Sequence, residues 1–114
     1  MTHRSNRFTG LLLASALAVI STSAAAQPQG DAQAGKIKAY TCLGCHGIPS
    51  YVMVYPTFHV PRLGGQHEQY IIDALKAYRD GKRSFPTMEA QARSLSEQDM
   101  ADIAAYFSGL DSKN

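Results

Sequence analysis

The pattern of apolar and polar residues predicts a helix that begins after Asp31, in the segment DAQAGKIKAYTCLGCH. Asp31 is a suitable N-cap, because its carboxylate can accept hydrogen bonds from unpaired N–H groups of the first turn. The side chains that recur at helical spacing are Ala34, Ile37, Tyr40 and Thr41. Gly35 lies inside this helix and costs about 1 kcal/mol relative to alanine there, so we interpret it as a point of close approach by another helix.

Two further helices are predicted towards the end of the chain. The middle helix covers residues 66–80 and is followed by Gly81, a natural C′ residue; its apolar stripe is Tyr70, Ile71, Ala74, Leu75 and Tyr78. The last helix begins at Ser96, which forms a capping box with Asp99, and ends at Gly109. Its apolar stripe is Met100, Ile103, Ala104 and Phe107. These three helices indicate an all-α fold, and no strand is predicted.

Long irregular segments separate the predicted helices. Residues 47–65 contain Pro49, Pro56 and Pro61, which together exclude a long helix. Residues 82–93 have no clean period and contain Pro86, so they are predicted to form a loop that includes one turn at most. Loops of this length are uncommon in a compact domain unless they serve a function. Because they flank the middle helix, each could wrap one face of a flat ligand.

Residues 1–26 have the features of a secretory signal peptide. A positive start with Arg4 and Arg7 precedes the apolar run GLLLASALAVI, and Ala24 and Ala26 form an A-x-A site before Gln27. The apolar run is shorter than the roughly 20 residues that span a bilayer, which disfavours the alternative of an uncleaved membrane anchor. We therefore predict export to the periplasm, cleavage after residue 26 and one mature domain over residues 27–114.

Charge and size restrict what the mature chain can be. Removing the signal peptide takes away Arg4 and Arg7, so that the formal charge of +2 falls to zero. The absence of a basic run argues against binding of nucleic acid. A domain this small buries little apolar surface, so a large cofactor, a metal or a covalent link is expected to stabilise it.

The motif CLGCH at residues 42–46 carries the strongest chemical signal in the chain. C-x-x-C-H is the attachment pattern of c-type haem. Cys42 and Cys45 are three residues apart on a helical turn, so their sulfurs lie on one side of the backbone and can bond the two vinyl groups of one porphyrin. His46 is then placed under the iron as the proximal ligand. The predicted cofactor is one haem c, held covalently by two thioethers.

Three other interpretations of the two cysteines are weaker. A thioredoxin-type dithiol requires a βαβ unit, which the pattern does not predict. A structural zinc ion would have to bind Cys42, Cys45 and the adjacent His46 together, which is difficult for one tetrahedral site. A disulfide across so short a loop would stabilise the fold little.

The sixth position on the iron has five candidate ligands: Met53, His59, His67, Met88 and Met100. Met100 lies on the apolar stripe of the last helix and fits the core better. His67 lies in the first turn of the middle helix and is expected to be solvated. Met88 lies in the second loop, far enough from His46 to reach the opposite face of the haem, and Pro86 restrains its approach. Chemistry alone favours Met88 and leaves Met53 and His59 as alternatives.

These motifs resemble those of class I cytochromes c of the small, single-haem bacterial periplasmic kind. The resemblance covers residues 30–110 through the pieces GDAQAGK, CLGCHG, PRLGGQ, YIIDALKAYRDGKR, the PTM segment and LSEQDMADIAAYF. It implies a small three-helix cytochrome c fold wrapped around one covalently bound haem, with Met88 as the distal ligand. It also implies a hydrogen bond between His46 and Pro61, and a crossing of the first and last helices at Gly35 and Tyr106.

The resemblance implies electron transport rather than catalysis. A haem with His46 and Met88 as axial ligands has no open position for a small-molecule substrate, so we expect a one-electron carrier and not an enzyme. Its partners would be a redox donor and a redox acceptor, including a membrane-bound oxidase or dehydrogenase. The alternatives are a haem subunit of a larger dehydrogenase or oxidase complex and a haem-based ligand sensor. The first loop, SYVMVYPTFHVP, is more aromatic and apolar than the family pattern. Packing over the edge of the haem is the favoured explanation, and a lasting interface with a partner is the alternative.

Overall fold

The computed structural model describes residues 26–55 and 57–111, over which it contains five helices and one short hairpin. The helices are α1 (Ala32–Lys38), α2 (Tyr40–His46), α3 (Glu68–Arg79), α4 (Pro86–Arg93) and α5 (Glu97–Ser108), and the strands are β1 (Val52–Val54) and β2 (Thr57–His59). The predicted all-α class is confirmed. Residues 1–25, most of the predicted signal peptide, lie outside the described residues. Within the described ranges, no helix combines the length and apolar character needed to span a bilayer.

The hydrophobic core forms where α1 and α3 pack against α5, and α4 packs against α3. Its buried apolar residues are Ala39, Ile71, Ile72, Leu75, Ala92, Met100, Ala101, Ile103, Ala104 and Phe107. Half of these belong to α5, which is therefore the central element of the fold. Met100 is completely buried among them, which confirms its prediction as a core residue.

The crossing of α1 and α5 depends on Gly35, as predicted. A Cβ at this position would overlap the backbone oxygen of Asp102 and lie 2.9 Å from the Cβ of Tyr106. A Cβ at Gly30, just before α1, would meet the backbone of Ala101 in the same manner. The two backbones can approach this closely because glycine has no side chain. The predicted pairing of Gly35 with Tyr106 is confirmed.

The predicted helix caps are present. The side chain of Asp31 accepts hydrogen bonds from the backbone N–H groups of two first-turn residues of α1, at 2.8 and 3.3 Å. Ser96 and Asp99 form the expected capping box at the start of α5. Gly81 follows α3 with a φ of 72°, the left-handed conformation that glycine adopts readily. These caps satisfy polar backbone groups that a helix end leaves unpaired.

The apolar face predicted for the first helix is wrong, and the helix is divided into α1 and α2 at Ala39. Ile37 and Tyr40 are 79% and 80% exposed, whereas Gly35 and Ala39 are buried. Gly35 and Ala39 are four residues apart, so they share one face of α1. This face lies against α5 because its residues are small, and the close crossing leaves the larger apolar side chains in solvent.

Both predicted loops contain regular structure, so the prediction of no strand is wrong. In the first loop, β1 and β2 pair in antiparallel fashion with Met53 opposite Phe58. In the second loop, Pro86 begins α4 instead of preventing a helix. A proline is tolerated there because the N–H of a first helical residue has no partner within the helix. The carboxylate of Glu89 accepts a hydrogen bond of 3.1 Å from the backbone N–H of Phe85 and fixes the start of α4.

Candidate functional site

A cavity of about 520 Å³ lies between α2, the β1–β2 hairpin, α3 and α4. This volume falls in the range of roughly 300–1,000 Å³ that is usual for ligand sites. Its wall is mainly apolar and includes Leu63, Tyr70 and Leu75. Both long segments that flank α3 contribute to the wall, the first through Phe58 and the second through Met88.

Helix α2 presents the C-x-x-C-H motif to this cavity. Cys42, Cys45 and His46 all border it, and each is partly buried. Leu43, between them, packs against the hydrophobic core and holds the helix in place. The structure therefore brings together the three motif residues that the sequence predicted.

The imidazole of His46 is held by the backbone of Pro61. Its Nδ1 lies 2.6 Å from the carbonyl oxygen of Pro61. Because a carbonyl oxygen can only accept a hydrogen bond, Nδ1 carries the proton and donates it. Nε2 then keeps its lone pair and is the nitrogen that can bind a metal. The hydrogen bond that the resemblance implied between these two residues is present.

The segment that contains Pro61 is itself fixed to the core. The N–H of Gly65 donates a 3.0 Å hydrogen bond to the carbonyl of Phe107 in α5, and the N–H of Gln66 donates one of 3.0 Å to Leu63. Gly65 has a φ of 74°, which favours glycine at this turn. The orientation of His46 is thus set by backbone groups that are anchored to the central helix.

The pKa of the Cys42 thiol argues against the dithiol interpretation of the motif. Burial raises the pKa of the Cys42 thiol, and a hydrogen bond with the Thr41 side chain opposes this only in part. Reactive dithiol sites show the opposite, a lowered cysteine pKa. Among residues 26–55 and 57–111, no group of three or more His, Cys, Asp and Glu is arranged to hold a metal ion.

The five candidates for the distal ligand separate into two groups. Met53 on β1 and Met88 on α4 both border the cavity. His59 and His67 are exposed, Met100 is in the core, and none of these three borders the cavity. The geometry therefore reduces the candidates to two methionines, of which the resemblance implies Met88.

The charged residues of the cavity wall are all basic. They are Lys38, Arg62 and Arg83, and no described residue of the wall is acidic. Lys38 forms ion pairs with Asp99 and Asp102, which neutralise its charge. Arg83 lies over the ring of Tyr78 at 4.7 Å, and neither arginine forms an ion pair with a described residue. The sequence pattern did not single out these arginines; the basic end of the YRDGKR segment was the available signal for Arg83.

These groups fit a haem. Cys42 and Cys45 offer two sulfurs for thioethers, and Nε2 of His46 offers one axial ligand for the iron. The two arginines without an acidic partner match the two propionate groups of the porphyrin in number and in sign. The mainly apolar wall suits the porphyrin ring.

Comparisons with known proteins agree with this fit. Residues 32–111 match the protein-family model described as Cytochrome c. Cytochrome c-554(548) of Halomonas halodenitrificans is 44% identical over 82 residues, which cover 69% of this chain and 95% of the relative. Cytochrome c4 of Pseudomonas aeruginosa is 41% identical over 96 residues, which cover 84% of this chain and 46% of the relative. The chain thus spans about half the length of cytochrome c4 but nearly all of cytochrome c-554(548).

A third relative and a solved structure extend the comparison. The cytochrome subunit of sulfide dehydrogenase from Chlorobaculum tepidum is 31% identical over 107 residues, which cover 91% of this chain and 94% of the relative. The crystal structure of reduced recombinant cytochrome c4 from Pseudomonas stutzeri is 33% identical, with a TM-score of 0.59 over 72% of this chain and 46% of that chain. The fold that the sequence implied is confirmed.

Proposed function

Since the chain belongs to the cytochrome c family, we propose that it is a periplasmic one-electron carrier with His46 and Met88 as the axial ligands of its iron. Its cofactor is one haem c, bound covalently through the C-x-x-C-H motif of α2. The chemistry that this group supplies is the reversible gain and loss of one electron. The residues of the chain bind the group, orient it and set the relative energies of its two oxidation states.

The observation that carries the proposal is the 2.6 Å hydrogen bond between Nδ1 of His46 and the carbonyl of Pro61. Histidines that bind metals commonly donate their other ring N–H to a carbonyl or a carboxylate, which fixes the tautomer and orientation of the ring. In His46 this bond leaves Nε2 available to the iron and prevents the ring from turning away. A ligand held in this manner suits a site that changes oxidation state without changing its ligands.

Met88 is proposed for the other axial position. Its side chain borders the cavity from the first turn of α4. A thioether is a soft ligand that favours ferrous iron, so it raises the midpoint potential relative to a second histidine. Met53 borders the same cavity and is the alternative distal ligand. Substitution of each methionine in turn distinguishes the two.

Binding of the iron by both His46 and Met88 would favour electron transfer over catalysis. With His46 and Met88 bound, no coordination position remains for a substrate. The mainly apolar wall, which includes Leu63 and Leu75, would limit the access of water to a bound haem. The protein is therefore a carrier that exchanges electrons with redox proteins.

Redox titration of the purified holoprotein tests this function. We expect one reversible transition with the slope of a one-electron couple. We also expect the reduced protein not to bind carbon monoxide on mixing, because the thioether occupies the sixth position. Immediate binding of carbon monoxide would contradict the carrier and favour the ligand sensor.

A haem subunit of a larger dehydrogenase complex is the second candidate. The cytochrome subunit of sulfide dehydrogenase from Chlorobaculum tepidum matches 91% of this chain. In addition, the tip of the hairpin exposes 91% of Val54 and 92% of Tyr55, which suits an interface. Gel filtration of a native extract distinguishes the two candidates, since a free carrier elutes as a small species and a subunit elutes with its complex.

We propose that the protein is exported to the periplasm and that the predicted signal peptide, residues 1–26, is removed. The intact mass of the mature protein should then correspond to a chain that begins at Gln27 and carries one haem. A mature chain that begins before Gln27 would contradict the predicted cleavage site. Recovery of the haem protein in the membrane fraction with residues 1–26 intact would favour the uncleaved anchor.

A further inference from the structure

One aromatic side chain of the β1–β2 hairpin reaches the start of α4. The rings of Phe58 on β2 and Phe85, the N-cap residue of α4, have centroids 4.9 Å apart and planes inclined at 34°. Both side chains border the cavity. The contact therefore joins the hairpin to the helix that carries Met88.

Few other contacts between described residues hold the β1–β2 hairpin in place. Its strands have three residues each and pair only with each other, and a two-stranded ribbon is at best marginally stable alone. A hydrogen bond of 2.9 Å from the N–H of Val60 to the carbonyl of Tyr51 closes its base. Phe58 is 43% exposed, whereas the tip residues Val54 and Tyr55 are almost fully exposed. Phe58 is thus the side chain through which this hairpin packs against α4.

Phe85 is held at the start of α4 by a hydrogen bond of its backbone to Glu89. Its N–H donates to Oε1 of Glu89 at 3.1 Å, and the hydroxyl of Ser84 donates to the same oxygen at 3.1 Å. Phe85 is the N-cap residue of α4, and Met88 lies in the first turn of the same helix; both border the cavity. A restraint on the ring of Phe85 therefore also restrains the thioether of Met88.

We infer that Phe58 and Phe85 are positioning residues for Met88: their ring contact holds the first turn of α4 where the Met88 thioether can bind the iron. The inference rests on the proposed function, because it takes Met88 as the distal ligand. An aromatic contact of this kind is worth roughly a two- to tenfold change in an equilibrium constant. Its loss should weaken the Met88 bond by that factor and make the sixth position more accessible to an external ligand.

Titration of the ferric holoprotein with imidazole tests the inference, because imidazole competes with the thioether for the iron. Phe58→Ala and Phe85→Ala should each raise the affinity for imidazole roughly two- to tenfold. The affinity of the double variant for imidazole should be only slightly higher than that of the stronger single variant, because both substitutions remove the same contact. Tyr55→Ala is the matched control, since Tyr55 lies at the exposed tip of the same hairpin and does not border the cavity. It should leave the affinity unchanged.

Fully additive effects in the double variant, or equal effects of Phe58→Ala and Tyr55→Ala, would overturn the inference. If an alanine variant yields no holoprotein, Phe58→Leu keeps the apolar bulk without the ring and should show the same rise in affinity; an unchanged affinity would overturn the inference.

Met88→Ala separates this inference from the proposed function. If Met88→Ala raises the affinity for imidazole strongly and Phe58→Ala does not, Met88 is the ligand and the ring contact does not position it. If Met88→Ala leaves the affinity unchanged, Met88 is not the ligand and the proposed ligation fails together with this inference.

Discussion

The Nζ of Lys38 lies 2.6 Å from Oδ2 of Asp102, a carboxylate that is almost completely buried in α5. Asp102 also accepts hydrogen bonds of 2.8 Å from the N–H of Asp31 and from the amide of Gln98, and Lys38 pairs with Asp99 at 2.7 Å. A buried carboxylate is costly unless it is paired and hydrogen-bonded. This network satisfies Asp102 and joins α1 to α5 beside the cavity that Lys38 borders.

The network predicts how stability depends on pH. Hydrogen bonds with Lys38 and Ser96 lower the pKa of Asp99 to about 2, and Lys38 lowers the pKa of Asp102. Because these pKa values are lower in the folded state, their stabilising effect is complete above the unfolded-state value of about 4 and is lost as the pH falls towards 2. The free energy of unfolding of the holoprotein in urea should therefore fall markedly between about pH 4 and about pH 2.

Lys38→Met is the control for this prediction. Methionine keeps much of the apolar stem but removes the ammonium, so both carboxylates lose the partner that depresses their pKa. The variant should be less stable at neutral pH and should lose less stability between about pH 4 and about pH 2. A pH profile parallel to that of the native protein would show that this network does not cause the loss in acid.

Gly35→Ala should destabilise the holoprotein by roughly 1–3 kcal/mol, because the new Cβ would overlap the backbone of Asp102. In a helix position with open space, the same change would stabilise the protein by about 1 kcal/mol. The packing against α5 therefore decides whether the substitution stabilises or destabilises the fold. Gly109→Ala is the control: its Cβ would meet the carbonyl oxygen of Ala105 at 3.5 Å, an ordinary contact, and should change stability by less than about 0.5 kcal/mol. Thermal unfolding measures both, and stabilisation by Gly35→Ala would contradict the close crossing.

Met88→His should lower the midpoint potential, because imidazole stabilises ferric iron better than a thioether does. The shift falls within the range of about 0.8 V that axial ligands span. Met53→His is the matched control at the other methionine of the cavity and should leave the potential nearly unchanged. Redox titration of the two variants distinguishes the methionines, and a larger shift for Met53→His would assign the distal ligand to β1.

Arg83→Gln should also lower the midpoint potential. A positive charge at the cavity disfavours the ferric state, which carries one more positive charge, so its removal should shift the potential by roughly some tens of millivolts. Lys82→Gln removes a charge from the neighbouring residue, which does not border the cavity, and should have a smaller effect. Equal shifts in the two variants would mean that Arg83 has no special relation to the cofactor.

Features with a local cause could be predicted from the sequence. The caps at Asp31 and Ser96 depend on side chains that bond their own helix, and the C-x-x-C-H motif occupies one helical turn. Gly35 was informative because a glycine inside a helix is unfavourable unless something needs the space. The caps and the C-x-x-C-H motif act within a few residues of their own positions, whereas Gly35 indicates only that another element approaches this helix closely.

Features that depend on distant contacts could not be predicted. Ile37 and Tyr40 have helical spacing, but the close approach of α5 selects the small residues of α1 for the buried face. The hairpin is held to α4 through the contact of Phe58 with Phe85, and nothing local in either segment shows that they meet. The ion pairs of Lys38 with Asp99 and Asp102 join α1 to α5, which are far apart in the sequence, and were missed for the same reason.

The most direct test of the account is a pyridine haemochrome spectrum together with the intact mass of the mature protein, made in cells that attach c-type haem. We expect the spectrum of a haem joined by two thioethers and a mass that corresponds to one haem per chain. The Cys42→Ala and Cys45→Ala variants should each change the spectrum to that of a haem with one thioether, or lose the haem. A colourless protein with the mass of the bare polypeptide would contradict the central claim.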